Sequence, residues 1–161
     1  MTATTHAKVC ARCRAETEPK MIDRAAGEAT PLGIAIHGMP VLTCPRGHVQ
    51  FVDREFPRRL LEHLLQEDEA KLPAGEETGM IFKRYKCGDC GAELESEPVQ
   101  RETFALDVAL EELTPFHVEL TMPVYRCPDC EKKQIHSLKE IRKHTPEALA
   151  RAFQAAEIPP S

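Results

Sequence analysis

The sequence predicts an α+β protein built from two small modules in tandem, and three observations carry that expectation. The string Met-Pro-Val-x-x-Cys-Pro occurs twice, at Met39–Pro45 and Met122–Pro128, an offset of 83 residues. A Cys-x-x-Cys pair precedes each copy, Cys10/Cys13 and Cys87/Cys90. An apolar stripe at helical spacing follows each copy. Two copies argue for two modules, since a solenoid needs three or more repeats. The expected boundaries are 1–72 for the first module, 73–79 for a linker and 80–161 for the second.

In the first module Leu32, Ile34 and Ile36 alternate as a short strand, and Ala26-Gly27-Glu28 reads as a turn before it. Pro57 suits a first helical turn, where a missing N–H costs nothing. Leu60, Leu61, Leu64 and Leu65 then give that helix one apolar face. The linker is rich in Pro, Gly and Glu from Pro73 to Gly79. In the second module Phe104, Leu106, Val108 and Leu110 alternate with polar or small residues, as do Phe116, Val118, Leu120, Met122 and Val124. With Glu111–Pro115 between them, these runs predict a hairpin leading into Cys127. Pro123 donates no N–H, so its strand is expected to lie at an edge or to end there. Ser137 to Ile141 suggests a short helix. Thr145-Pro146-Glu147 reads as cap and first turn of another, continued by Leu149, Ala152, Phe153 and Ala156.

The chain has 161 residues, 5% aromatics and no tryptophan, so large core side chains are scarce. Small modules with thin cores need a staple, and seven cysteines supply one. No secretory signal follows Met1 and no apolar run approaches the roughly 20 residues of a membrane span. A cytoplasmic protein is therefore expected, where paired cysteines favour metal over disulfide. The formal charge is −5, and residues 76–161 supply all of it with 11 basic against 16 acidic side chains. An acidic chain is a poor ligand for phosphate backbones.

Zinc takes four thiolate or imidazole ligands in a tetrahedron. A Cys-x-x-Cys turn brings two sulfurs to one side of a metal, and a second turn from a distant segment closes the site. Cys87, Cys90, Cys127 and Cys130 form one such quartet. Cys10, Cys13 and Cys44 supply three ligands of the other. His48 stands nearly where Cys130 stands in the second copy, one residue later, and is the expected fourth, with His37 and His6 as competitors. The fold class is therefore α+β with two tandem zinc-ribbon-like modules, each a β-hairpin metal knot followed by a helix, holding two Zn²⁺ per chain. Separate knots and helices imply modules that unfold separately.

Catalytic zinc keeps an open position, and both quartets are filled. No nucleophile elbow, phosphate-cradling glycine loop or His-Glu-x-x-His string is present, and no βαβ context suggests a thioredoxin-type pair. No catalytic residue is assigned. Arg54, Arg58 and Arg59, and Lys132, Lys133, Lys139, Arg142 and Lys143, are read as solvated faces. His63, His117, His136 and His144 are read as exposed or hydrogen-bonded. The favoured function is a non-enzymatic zinc protein, an interaction or regulatory module that engages a protein partner and no membrane. A nucleic-acid-binding zinc ribbon is the alternative, and a metalloenzyme the third reading.

Cys10, Cys13, the Ile36-His37-Gly38 stretch, Cys44 and the segment to about Glu69 resemble the MqsA/YgiT-type zinc domain, the amino-terminal half of certain bacterial antitoxins. Cys87, Cys90, Cys127 and Cys130 resemble the same pattern with a longer insert. The resemblance implies a structural zinc and a link to binding a toxin protein. This sequence differs in its His48, in carrying the domain twice, and in having no helix-turn-helix half after it.

Overall fold

The computed structural model describes residues 8–159. The strands are β1 (Glu18–Ile22), β2 (Ala25–Ala29), β3 (Leu32–His37), β4 (Met39–Thr43), β5 (Val49–Phe51), β6 (Glu76–Thr78), β7 (Arg84–Lys86), β8 (Gln100–Val108), β9 (Phe116–Arg126) and β10 (Lys133–Gln134). The helices are α1 (Phe56–His63) and α2 (Leu138–Ala155). A π-turn (Leu64–Asp68) and a 3-10 turn (Glu69–Lys71) continue α1. All strand pairs are antiparallel. The architecture is thus α+β, mostly antiparallel sheet with two helices. Among the described residues no helix is long and apolar enough to cross a membrane.

The predicted hairpin is present as β8 and β9, in register from Gln100↔Val124 to Val108↔Phe116. Its other neighbours are new. β9 also pairs with β3, from Gly33↔Thr121 to His37↔His117, and β3 pairs with β2. One sheet therefore contains strands from both halves of the chain. Leu32, Ile34 and Ile36 of β3 and Val118, Leu120, Met122 and Val124 of β9 are buried on one face of it. Helix α2 covers β2 and β3 on that face. Aromatic contacts join the halves again: Phe51 of β5 lies 4.8 Å, edge to face, from Phe153 of α2, and Phe56 of α1 lies 6.1 Å from Phe116 of β9. The expected division at 72 and 80 does not separate two cores, because one hydrophobic cluster runs from Ala25 to Ile158.

The expected linker is also structured. Glu76–Thr78 is β6, hairpinned to β7, and Gly75 N–H donates to Ile135 O at 2.9 Å while Ile135 N–H donates to Pro73 O at 2.9 Å. Ala26-Gly27-Glu28 is not a turn but the middle of β2. Gly27 is required there because α2 passes so close that a Cβ would stand 2.3 Å from Ala152 N.

Pro123 lies in the central strand, not at an edge, and the geometry permits it. Val99 N–H donates to Val124 O at 3.0 Å, so Val124 faces β8, and by alternation Pro123 faces the other way. On that side β3 has stopped at Gly33↔Thr121 and β10 starts at Tyr125, so no partner awaits the missing N–H. Pro40 is placed similarly in β4, one residue before β5 joins at Val41↔Phe51. In both repeats the flanking Met and Val, at 39, 41, 122 and 124, are buried.

Helix α2 is one helix where two were expected. Ser137 caps it, accepting Glu140 N–H at 3.2 Å. Pro146 lies inside it and removes one intrahelical bond, and Thr145 is interior rather than a cap. Thr145 Oγ1 is 2.9 Å from Ile141 O and 2.6 Å from Glu69 Oε2. Both Thr145 and Glu69 are fully buried. Burial pushes the Glu69 carboxyl up to about 7, against the Thr145 hydroxyl and Arg142, which pull it down. The Thr145 hydroxyl donates to Glu69 Oε2 and has Ile141 O as its second acceptor. A raised folded value means stability is greatest below about 4.5 and declines as pH rises to about 7. The span corresponds to about 3 kcal/mol. Glu69→Gln, which carries no charge to bury at any pH and still accepts from Thr145, is expected to lose that slope and to be the more stable protein at pH 8, as denaturant melts at pH 5 and pH 8 will show.

Candidate metal centres

Three of the four cysteine corners share one backbone form. Cys10 N–H donates to Ala15 O at 2.8 Å, Cys87 N–H to Ala92 O at 2.7 Å and Cys127 N–H to Lys132 O at 3.0 Å. In each, the fourth residue after the cysteine donates back to its carbonyl: Arg14, Gly91 and Glu131, at 2.9, 3.0 and 2.9 Å. Those three residues have positive φ, at 62°, 79° and 65°. The tight turn aims two side chains, three residues apart, at one point. The Cys44 corner is one residue tighter: Gly47 N–H donates to Cys44 O at 2.9 Å, Cys44 N–H to His48 O at 3.1 Å, and Gly47 takes the positive φ of 84°. The next side chain, His48, is therefore the one delivered.

The turns converge in two clusters, Cys10–Cys13–Cys44–His48 and Cys87–Cys90–Cys127–Cys130, with the four ligand atoms of each within 4.8 Å of one another. Cys10 Sγ lies 3.4 Å from His48 Nδ1 and Cys13 Sγ 3.7 Å from Cys44 Sγ. In the other cluster Cys87 Sγ is 3.6 Å from Cys130 Sγ and Cys90 Sγ 3.4 Å from Cys127 Sγ. Sulfurs bound tetrahedrally at about 2.3 Å from zinc would stand about 3.8 Å apart, so the spacing fits a shared metal. It is far beyond a disulfide bond of about 2.0 Å. His37 is elsewhere, on β3 in contact with Glu119 Oε1. His6 lies outside the described residues.

Charge points the same way. Backbone N–H groups of Cys90 and Asp89, with Gln134, bring Cys87 down to about 6 despite burial. Burial raises Cys10, but the N–H groups of Cys13 and Arg12 and the His48 ring outweigh it and leave it at about 6. Cys127 is lowered too, by the N–H groups of Cys130 and Asp129 against burial, while Cys13, Cys90 and Cys130 move the other way. Cys90 is helped by the Ala92 N–H, yet hydrogen bonding to Cys127 and burial push it up to about 12, and Cys13 and Cys130 are raised too. Four adjacent sulfurs cannot all ionise unless a cation sits among them. Each cluster can therefore hold a metal ion, and the chain is defined as an α+β protein with two four-ligand Cys/His clusters.

Two glutamines support the clusters, and nothing in their sequence surroundings marks them. Gln134, 1% exposed, accepts Gly88 N–H at 2.9 Å and donates to Cys87 Sγ at 3.2 Å. Gln50 accepts Ala11 N–H at 3.0 Å and donates to Val9 O at 3.3 Å. Each thus holds the residue after the first cysteine of its cluster. Loss of such an outer partner costs about 10–100-fold in metal affinity. Gln134→Leu is expected to weaken the second cluster by that factor and leave the first unchanged, read by competition with a chromophoric chelator.

The other sequence-level candidates lie apart from the sulfurs or pair locally. Arg58 bonds Glu55 and Glu62, and Arg59 meets Asp53 and Glu111 O. Lys132 bridges the two turns of the second cluster through Asp89 at 2.8 Å. His136 is stacked between Tyr85 and Tyr125. Comparison with protein-family models, with curated proteins and with solved structures finds no match to this chain.

Proposed function

We propose that each cluster holds a structural Zn²⁺ and that the chain is a non-enzymatic, cytoplasmic zinc protein whose surface docks a protein partner. The completeness of both quartets carries the first half of this reading. Zinc fits their donor set, three thiolates with one imidazole and four thiolates, and when bound supplies a tetrahedral cross-link between distant segments. No ligand position is left for a substrate, so the metal's role is folding energy.

The hairpin tip between β6 and β7 supports the docking half. Met80, Ile81 and Phe82 are 100%, 86% and 80% exposed. Three consecutive large apolar side chains held outward are costly in water unless a partner covers them. Gly79, at φ 94°, closes the turn, where a Cβ would meet Phe82 O at 2.2 Å. Lys86 leads directly from this hairpin into Cys87, so the second zinc would anchor the tip. Engagement of a protein is also what the likeness to MqsA/YgiT-type domains implies, and the acidic charge disfavours nucleic acid. Zinc-loaded protein is expected to retain a specific protein from its native cytoplasm, and Ile81→Ser/Phe82→Ser to lose it with both zincs still bound. Retention unaffected by the double substitution, or recovery of salt-sensitive nucleic acid instead, would reject the docking reading.

A further inference from the structure

We infer that His63 and Glu67 form a third metal site, an exchangeable one for a divalent transition-metal ion. The site lies on the π-turn after α1, distant in sequence from every cysteine. A π-turn widens the helix so that a residue meets its neighbours four and five places on, and such turns are frequent at functional sites. Here His63 Nε2 is 2.8 Å from Glu67 Oε2, and His63 Nδ1 is 2.8 Å from Asp68 Oδ2.

The two carboxylates have different roles. Asp68 is 1% exposed, and its carboxylate, an acceptor 2.8 Å from Nδ1, favours the tautomer with the hydrogen on that nitrogen. That arrangement, a buried carboxylate on the far nitrogen, is how metal-binding histidines are usually oriented. It leaves the Nε2 lone pair facing the oxygen of Glu67, which is exposed. With the hydrogen on Nδ1, Nε2 and Glu67 Oε2 are two ligand atoms 2.8 Å apart that one metal ion can join. Ligands about 2.0–2.1 Å from one ion at right angles stand about 2.9 Å apart, so the observed spacing of 2.8 Å fits a shared ion with little movement.

The surroundings supply the remaining coordination. His63 and Glu67 line an open cleft of about 350 Å³ with Glu62, Gln66 and Glu111. Arg59 is the cation of this wall, and it is engaged by Asp53 and by Glu111 O. The lining is otherwise acidic or neutral, with room for water on the metal. Two protein ligands and water make a weak, open site, unlike the two filled quartets.

The test adds Co²⁺ to zinc-loaded full-length protein and follows backbone and histidine ring signals by NMR. Saturable paramagnetic shifts centred on His63 and Glu67 are expected. Glu67→Gln, at an exposed position, should abolish them, and Asp68→Asn should weaken binding about 10–100-fold, while both proteins keep the zinc of the cysteine clusters. Absence of saturable shifts at His63 below millimolar cobalt, shifts centred on His37 and His117 instead, or shifts unchanged in Glu67→Gln would each overturn the assignment.

Discussion

Removing the metal from the Cys87–Cys130 cluster is expected to unfold both halves of the chain, not the second alone. A structural zinc contributes on the order of 10 kcal/mol or more at neutral pH, against a total stability of roughly 5–15 kcal/mol for a domain. Cys127 directly follows β9, and β9 is the strand on which β8, β10 and β3 all pair. Loosening its end exposes Val124 and Met122, and with them the face that Ile34 and Ile36 pack against. Cys127→Ser, or chelation, should therefore collapse the amide dispersion of β3 together with that of β8. First-half signals that stay dispersed after the second metal is lost would restore the picture of separate modules.

The second large effect is at Gly27. Its missing Cβ would lie 2.3 Å from Ala152 N and 2.4 Å from Ala148 O, both backbone atoms of α2 that cannot rotate away. Gly27→Ala must push the helix off the sheet, and overpacking of a well-filled core costs about 1–3 kcal/mol, the upper end applying where backbone meets Cβ. Gly33→Ala is the control, since its Cβ would meet nothing nearer than 3.8 Å on the open face of the same sheet. Chemical denaturation should show the first destabilised by about 3 kcal/mol and the second close to wild type. Equal stability of the two variants would mean that α2 does not lie on β2.

Much of this is legible in the residues, and the parts that are not have physical reasons. Cys-x-x-Cys spacing is a local signal, because the turn that aims both sulfurs closes within six residues, as Cys87 N–H to Ala92 O does. The one-residue delay at His48 tracks a tighter corner at Gly47. Alternation likewise marks β8 and β9 and their buried faces. It says which face of a strand is buried but not which strand lies beside it, so the β3–β9 pairing that merges the halves leaves no trace. β2 is hidden because Ala-Ala-Gly-Glu-Ala has weak strand propensity; its conformation is fixed by α2 overhead. Thr145-Pro146-Glu147 imitates a helix start, but its hydroxyl is used on Glu69 across the core. Asp68 and Glu69 sit in a polar stretch that looks solvent-facing, and only the π-turn rotates them inward.

The most direct test of the account is cobalt titration of the metal-free chain, followed by visible absorption. Two complete quartets, one of three cysteines with a histidine and one of four cysteines, predict intense tetrahedral thiolate-cobalt bands that grow to two equivalents and are indifferent to added anions. Any further equivalent should add only the pale spectrum of a six-coordinate ion, the form expected at His63 and Glu67. Tetrahedral bands that saturate at one equivalent, or a five-coordinate spectrum that shifts when anion is added, would contradict it.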